Sequence, residues 1–401
     1  MISFLQRLRR KILPPSVDAF DGRIDRIEAL IGALFDRAKN PKINRQDSGR
    51  VHDFHTVSDS QTNHELYVQR NIMDVVEKLV KKTNEKDEPN INQLWFLTRD
   101  IELVKLNIKS MGYQLARDLA KAFPKHEKTS PKFVGLSSRA TRQEEFEQEG
   151  FVHWCNELKI PVIYHRKLWE YGFVLQSLFD CGLLENGKKG IGFGCGQEPL
   201  PSYFASLGMK ITVTDLHPDL VEGLGWTETG QHSSALESTY FPELVSRDSF
   251  DSNVTLRFVD MNNIPGDLVG FDFCWSICAL EHLGSIEKGL NFIENSLNCL
   301  NPGGIALHTT EFNYLDDKET IDNWMTVLFQ RKHFEAITSR LTQKGHVVAP
   351  LNFDVGDDPM DTFIDLPPYA WQSDLKDRPH LKLSVDGFAC TCFGLAIKKA
   401  I

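Results

Sequence analysis

Apolar side chains recur every three or four positions from Ile2 to Leu119. Beyond Arg166 they gather instead into the short runs that buried strands make. At the start, Ile2, Leu5, Leu8 and Ile12 share a helical face, Arg7, Arg9, Arg10 and Lys11 lie between them, and Pro14-Pro15 stops the turn. Two readings of residues 1–13 stay open: a short surface helix, or weak peripheral contact with anionic lipid. Ile24, Ile27, Ile31 and Leu34 make a second short seam, and the polar stretch 40–63 reads as a linker. Longer helices are predicted over 64–83 and 91–123. In the second, Leu94, Leu97, Ile101, Val104, Ile108, Met111, Leu115 and Leu119 keep almost a heptad rhythm. Such a stripe is expected to be buried, either in a homodimer through these N-terminal helices or against a neighbouring helix of the same chain. Lys125 to Gln148 is charged and carries no recognisable chemistry.

From residue 151 the pattern alternates strand and helix, the order of an open, mostly parallel sheet. An aromatic helix over 166–184 (Trp169, Tyr171, Phe173, Leu175, Leu178) precedes the unit Gly190–Asp215, which reads as strand, glycine turn, helix and strand. Strands follow at 254–259, 271–276 and 305–309, with a helix over 285–300 and the turn Asn301-Pro-Gly-Gly304 between the last two. Phe334, Ile337 and Leu341 mark an amphipathic helix closed by Gly345, and a sixth strand runs over 346–351. Asp354 to Pro368 reads as a loop, and Asp386-Gly387 between two alternating runs predicts a terminal hairpin. The expected organisation is a helical segment 1–40, a helical region 41–150 and an α/β domain 151–401.

The chemistry is concentrated at the glycine turn. Gly192, Gly194 and Gly196 follow a strand, and Asp215 ends the next one, where an open sheet presents side chains to a ligand. A dinucleotide fingerprint needs a third glycine, and in the two possible registers that position is Gln197 or Pro199. Glu198 begins the helix and would repel a pyrophosphate while suiting a cationic ligand. The turn therefore fits S-adenosylmethionine, with its sulfonium and ammonium and no phosphate, better than NAD.

Gly194 in GFGCG, Asp215, Asp260 in VDMNNIP, the segment FDFCWSICALEHLG and the turn LNPGG, in that order, resemble the motifs of class I S-adenosylmethionine-dependent methyltransferases, over about Arg166 to Lys399. The phrases RKLWEYGFVLQSL, ALEHLGS and HTTEF are similar to a bacterial subgroup associated with surface-glycan or lipopolysaccharide assembly. The resemblance implies a Rossmann-like, seven-stranded, mostly parallel sheet with an antiparallel last strand. It also implies that Asp215 binds the ribose hydroxyls, Asp260 accepts from the adenine amino group and Met261 packs near the ring. Gly192, Gly194, Cys195, Gly196, Leu216 and Ser276 would complete the cofactor site, under a helix that brings Trp169 or Tyr171 near. One departure is Gly192, where many members carry an acid; Glu198 is then the candidate for holding the methionine end.

On the acceptor side, the titratable groups after the 271–276 strand are Glu281 and His282, and Glu311 follows the next strand. His282 is the first candidate base for a sugar hydroxyl and Glu311 the second, while alignment alone suffices in many methyl transfers. Trp226 and His232, in the long segment 217–250, are candidates for covering the adenine or lining an acceptor pocket. A net charge of −10 argues against broad nucleic-acid binding. Eight scattered cysteines without C-x-x-C give no metal pattern and suit a reduced, cytoplasmic compartment, and no apolar run is long enough to span a bilayer. Rival readings are methylation of a small metabolite or lipid-linked intermediate at N or C, and a cofactor-binding scaffold of a glycan-assembly complex without turnover.

Overall fold

The computed structural model describes residues 91–123, 129–217, 236–367, 369 and 378–401. The expected segments over 1–40 and 64–83, the linker, Trp226 and His232 lie outside the described residues. The chain divides into units Met1–Arg99 and Asp100–Ile401, and the sheet belongs to the second.

In order, the elements are α1 (Ile91–Ala120), β1 (Ser138–Ala140), α2 (Gln143–Phe146), α3 (Glu149–Glu157), α4 (Arg166–Asp180), β2 (Lys189–Phe193), α5 (Leu200–Ser206) and β3 (Lys210–Asp215). Then come α6 (Arg247–Asn253), β4 (Val254–Phe258), β5 (Phe271–Ile277), α7 (Ile286–Ser296), β6 (Leu300–Asn313), α8 (Arg331–Gln343), β7 (Val347–Val348) and β8 (Leu351–Asn352). Last are α9 (Pro359–Thr362), β9 (Ile364–Asp365), β10 (Lys382–Val385) and β11 (Phe388–Lys398).

The fold is Rossmann-like. The strand order is β4-β3-β2-β5-β6-β11-β1-β8, with neighbours from β4 to β6 parallel and β11 antiparallel to β6. The order reverses between β2 and β5, so the loops after those strands flank the crevice where ligands of open α/β sheets dock. Both faces are covered, and β2, β5 and β6 are accordingly buried at successive residues over most of their length rather than at alternate ones. α3, α4, α5 and α6 bury Trp154, Trp169, Phe173, Phe204 and Phe250 on one face, while α7 and α8 bury Leu290, Phe292, Phe334 and Ile337 on the other.

The sheet departs from expectation in four places. Among the described residues it has eleven strands instead of seven: the expected sixth strand is broken at Ala349-Pro350 into β7 and β8, β10 joins it as the outer arm of the predicted hairpin, and β1 and β9 are added. β1 pairs with β11 and β8, so the sheet takes in residues before the expected boundary at 151; three residues inside a charged stretch give no periodic signal. The turn Asn301–Gly304 does not precede a strand but lies within β6. There it forms an irregularity: Leu300 pairs with Phe271 and Ile305 with Phe273. Finally, the stretch expected as a loop contains α9 and β9.

α1 runs close to its expected limits, and Lys109 pairs with Asp365 at 2.7 Å. Among the described residues nothing covers its stripe: Ile101, Val104, Ile108, Met111 and Leu115 are between 39% and 74% exposed.

Candidate active site

The glycine turn is shaped by what surrounds it. β2 ends at Phe193, and Gly194 and Gly196 take φ of +62° and +52°, which β-carbon sterics disfavour. A side chain at Gly194 would begin 2.8 Å from the Ala279 Cβ and 3.5 Å from the Met261 Sδ, so the turn lies directly on Met261 and the loop after β5. Asp215 ends β3 with its carboxylate turned back to the turn. Its Oδ2 accepts from the Gly196 N–H at 3.3 Å and its Oδ1 from the Leu216 N–H at 2.8 Å. Gly194, Gly196, Asp215, Leu216 and Met261 are thus brought together at the carboxyl edge. Asp260 is exposed beside them, its Oδ1 accepting from the Asn262 N–H at 2.8 Å.

Gly192 has a different reason for being glycine. A β-carbon there would fall 2.4 Å from both the Cys195 Sγ and the Trp275 indole. Those two side chains both hydrogen-bond to Glu198, the indole Nε1–H donating at 2.5 Å. The acid expected at position 192 therefore has no room, and an acid six residues later is held by the groups that fill the space. Introducing an acid there with Gly192→Asp is expected to cost about 2 kcal/mol or more by overpacking, read as a lowered denaturant midpoint. Improved cofactor affinity at unchanged stability would contradict this.

Glu198 itself differs from expectation. Its carboxyl points inward and is buried, not displayed at the start of α5. Burial pushes its pKa up to about 8, against the lowering effect of the Trp275 and Cys195 hydrogen bonds. The repulsion of a pyrophosphate argued from Glu198 is weakened accordingly. The argument from Gln197 and Pro199 is untouched.

The shift has a sign that can be tested. Folded Glu198 holds a proton that the unfolded chain, with a carboxyl near 4.5, has lost; its contribution to stability must fall as pH rises from 4.5 through about 8. Buried His165, His282 and His308, all lowered by burial, give the opposite slope below about 6.5, and Glu281 and Glu311, raised to about 7, add the same slope below that pH, so the clean window is pH 7 to 8. The stability of wild type relative to Glu198→Gln is expected to decrease across that window in urea unfolding. A flat difference would mean that Glu198 titrates normally.

Toward β6 lies a buried polar cluster. The N-terminus of α4, where the His165 Nδ1 caps the Lys167 N–H, aims Arg166, Lys167 and Glu170 at the ends of β5, β6 and β11. The Arg166 Nη1 is 2.5 Å from the Glu311 Oε1, 3.1 Å from the Cys278 Sγ and 3.3 Å from the Cys392 Sγ. Glu170 accepts from the Cys278 thiol at 2.9 Å and from Thr309, with Lys167 at 3.5 Å. Burial works to raise its pKa, but Lys167 and Arg166 outweigh it and hold the carboxyl below the usual range. Glu281 is fully buried and accepts from the Thr310 hydroxyl at 3.0 Å. Burial pushes both Glu281 and Glu311 up to about 7, Arg166 pulling Glu311 back. Cys278, which closes this arrangement, has φ of +46°, strain of the kind concentrated at functional sites.

The candidate base His282 is beside this cluster but engaged elsewhere. Its Nδ1 donates to the Met325 carbonyl at 3.0 Å and burial lowers its pKa to about 4, which leaves a weak base on the remaining nitrogen. Ser276 is buried with its hydroxyl 2.8 Å from the His308 Nδ1, and Ser296 bonds the other ring nitrogen at 3.0 Å. Those contacts tie Ser276 into the core instead of the crevice. Of the two aromatic candidates on α4, Trp169 is core, stacked on Phe173, whereas half-buried Tyr171 feels the charges of Lys167, Glu198 and Glu170.

Sequence pattern alone does not single out Arg166, Lys167, Glu170, Trp275 or Cys278. A signal was there: three charged residues within five positions at the head of an otherwise apolar helix. Among the described residues, two groups could gather around a metal ion, Glu170–Cys278–Cys392 and Cys278–Glu281–Glu311, each within 4.8 Å. The Arg166 guanidinium already lies against members of both and supplies the positive charge there.

No family model matches the chain, and no curated protein matches it in sequence. Solved structures it is similar to include magnesium protoporphyrin IX methyltransferase from Synechocystis with bound SAH, at 12% identity over 64% of this chain and 98% of that one, TM-score 0.36. An S-adenosylmethionine-dependent methyltransferase from Mesorhizobium loti is 14% identical over 53% of this chain and 92% of its own, TM-score 0.32. The cyclase SpnF is 15% identical over 66% of this chain and all of its own, TM-score 0.37.

Proposed function

We propose that the chain transfers the methyl group of S-adenosylmethionine to a hydroxyl of a sugar or glycan intermediate. The observation that carries the reading is the Asp215 carboxylate, hydrogen-bonded to a glycine turn that has no third glycine for a pyrophosphate. Asp215 would bind the ribose hydroxyls, Asp260 and Met261 the adenine, and Gly194 to Gly196 would leave room for the methionine chain. Glu198, bonded to Trp275, would support the turn from below. The acceptor oxygen attacks the methyl carbon in line as the sulfur–carbon bond breaks, releasing S-adenosylhomocysteine and a proton. The sulfonium makes the methyl reactive, so the protein supplies mainly alignment and exclusion of water.

A hydroxyl acceptor is favoured because the groups around the acceptor side are carboxyls able to take its proton. The glycan class rests on the resemblance of the sequence phrases. The scaffold reading leaned on glycine at position 192, and the packing of Trp275 and Cys195 gives that glycine another cause. The exposed seam of α1 is what a homodimer would bury, and sedimentation velocity decides it. Among the described residues no helix is long and apolar enough to cross a membrane.

The test is transfer of labelled methyl from S-adenosylmethionine to free sugars, nucleotide sugars and lipid-linked glycans, with small amines alongside. Label recovered as a sugar methyl ether supports the reading. Label only in amines or carbon acceptors would replace it.

A further inference from the structure

Among the described residues, three buried carboxyl oxygens in the cluster have no hydrogen-bond partner. The Glu170 Oε1 faces the Lys167 Nζ at 3.5 Å; the other two are the Glu281 Oε1, 4.0 Å from the His282 Nε2, and the Glu311 Oε2. Their sister oxygens are committed, to Thr310 and to Arg166. One oxygen of each glutamate lies within 4.8 Å of the other and of the Cys278 Sγ. An unsatisfied buried polar atom is costly, so this geometry suits a ligand that hydrogen-bonds to both carboxyl groups. Two carboxylates this close and this buried do not both ionise, and the pair keeps one proton.

The remaining charges indicate the kind of donor. Around the pair stand Arg166, Lys167 and Glu170 from α4, Cys278 and His282 from the loop after β5, Cys390 and Cys392 from β11, and Tyr369. The thiols, the phenol and the imidazole are neutral near pH 7, since burial raises the first two and lowers the last. Arg166 and Lys167 then balance Glu170 and one ionised member of the pair. A site without net charge suits a neutral hydroxyl compound better than an ammonium or a carboxylate.

We propose that Glu281 and Glu311 act as one carboxyl pair that binds a neutral hydroxyl acceptor on its two unpartnered oxygens and takes the acceptor's proton during methyl transfer. The catalytic part rests on the methyl-transfer reading above. In the step the acceptor O–H bond breaks to the ionised carboxylate, the oxygen–methyl bond forms, and the sulfur–methyl bond breaks to leave neutral S-adenosylhomocysteine. Glu281 and Glu311 are then the catalytic residues.

The test is a carbon-13 carboxyl titration of the full chain labelled at glutamate, in wild type, Glu281→Gln, Glu311→Gln and Thr310→Val. With Glu281 removed, Glu311 is expected to titrate at least about one pH unit lower, because the like charge is gone. Thr310→Val keeps both acids and the shape, and is expected to raise the upper midpoint by removing a donor to the charged form of Glu281. Independent titration of the two acids overturns the pair even if turnover is intact. With an acceptor that the wild type methylates, each Gln variant is expected to lose about 100-fold or more in kcat. Affinity for S-adenosylmethionine should hold, and the acid limb of the rate profile should follow the titration; unchanged kcat in either variant overturns the proposal. Linked titration without wild-type turnover on any hydroxyl acceptor points at the methyl-transfer reading itself and overturns the proton-taking role with it. One-to-one capture of zinc or manganese that Glu281→Gln abolishes also overturns the proposal, since the carboxyls would then be a ligand set.

Discussion

Replacing Arg166 with methionine is expected to destabilise the protein by about 3–5 kcal/mol, the cost of leaving a buried charge without its partner. The guanidinium is the direct cation on Glu311 and also touches the Cys278 and Cys392 sulfurs, so groups from β6, β11 and the loop after β5 lose one neighbour at once. Methionine keeps much of the volume, which separates the electrostatic loss from a cavity. The pH dependence identifies the cause. Without Arg166, Glu311 moves further above its present raised value, so the folded variant holds its proton to higher pH than the wild type does. Stability of the variant should therefore keep falling above pH 7, where the Glu311 contribution in the wild type has levelled off, and the gap should widen up to about pH 9. Urea unfolding at pH 5, 7 and 9 measures it. A gap of equal size at all three would mean that Arg166 acts through packing alone.

Asp215→Ala is expected to weaken S-adenosylmethionine and S-adenosylhomocysteine binding by about 100-fold while leaving the apo fold nearly intact. A carboxylate accepting from two ribose hydroxyls makes charge-assisted hydrogen bonds worth about 1.5–3 kcal/mol each, and part of that is recovered when water replaces the side chain. The carboxylate also tethers the Gly196 N–H, so the variant loses some order in the turn before any ligand arrives. Its loss should hardly move the unfolding midpoint, since Asp215 is half-buried and its backbone is held in β3 by pairing with β4. A drop in affinity matched by a drop in stability would assign Asp215 to the scaffold.

The frame of the fold was legible because its signals are periodic. The strand–turn–helix–strand unit from Gly190 to Asp215, the strands at 254 and 271 and the terminal hairpin all stand near their expected places. Short strands such as β1 and β9, two or three residues long, are made by tertiary pairing and leave no trace in a hydrophobic pattern. The site divides in the same way. Gly194, Gly196 and Asp215 could be read from spacing along one segment. The pairing of Glu281 with Glu311, and of Glu311 with Arg166, joins positions 30 and 145 residues apart, and only the sheet order brings them together. Glu198 was readable as an acid at a helix start, but the direction of its side chain depended on Trp275, a residue of another strand. Position 192 shows the same dependence: an absent acid looked like a defect until the indole and thiol filling its place were known.

The central claim is that the turn beside Asp215 binds S-adenosylmethionine and not a dinucleotide. Calorimetric titration of the full chain with S-adenosylmethionine, S-adenosylhomocysteine and NAD, for wild type and Asp215→Ala, tests it most directly. One-to-one binding of both adenosyl ligands, weakened about 100-fold by the substitution and absent for NAD, is the expected result. NAD binding as tight as theirs, or no adenosyl binding at millimolar concentration, would contradict it.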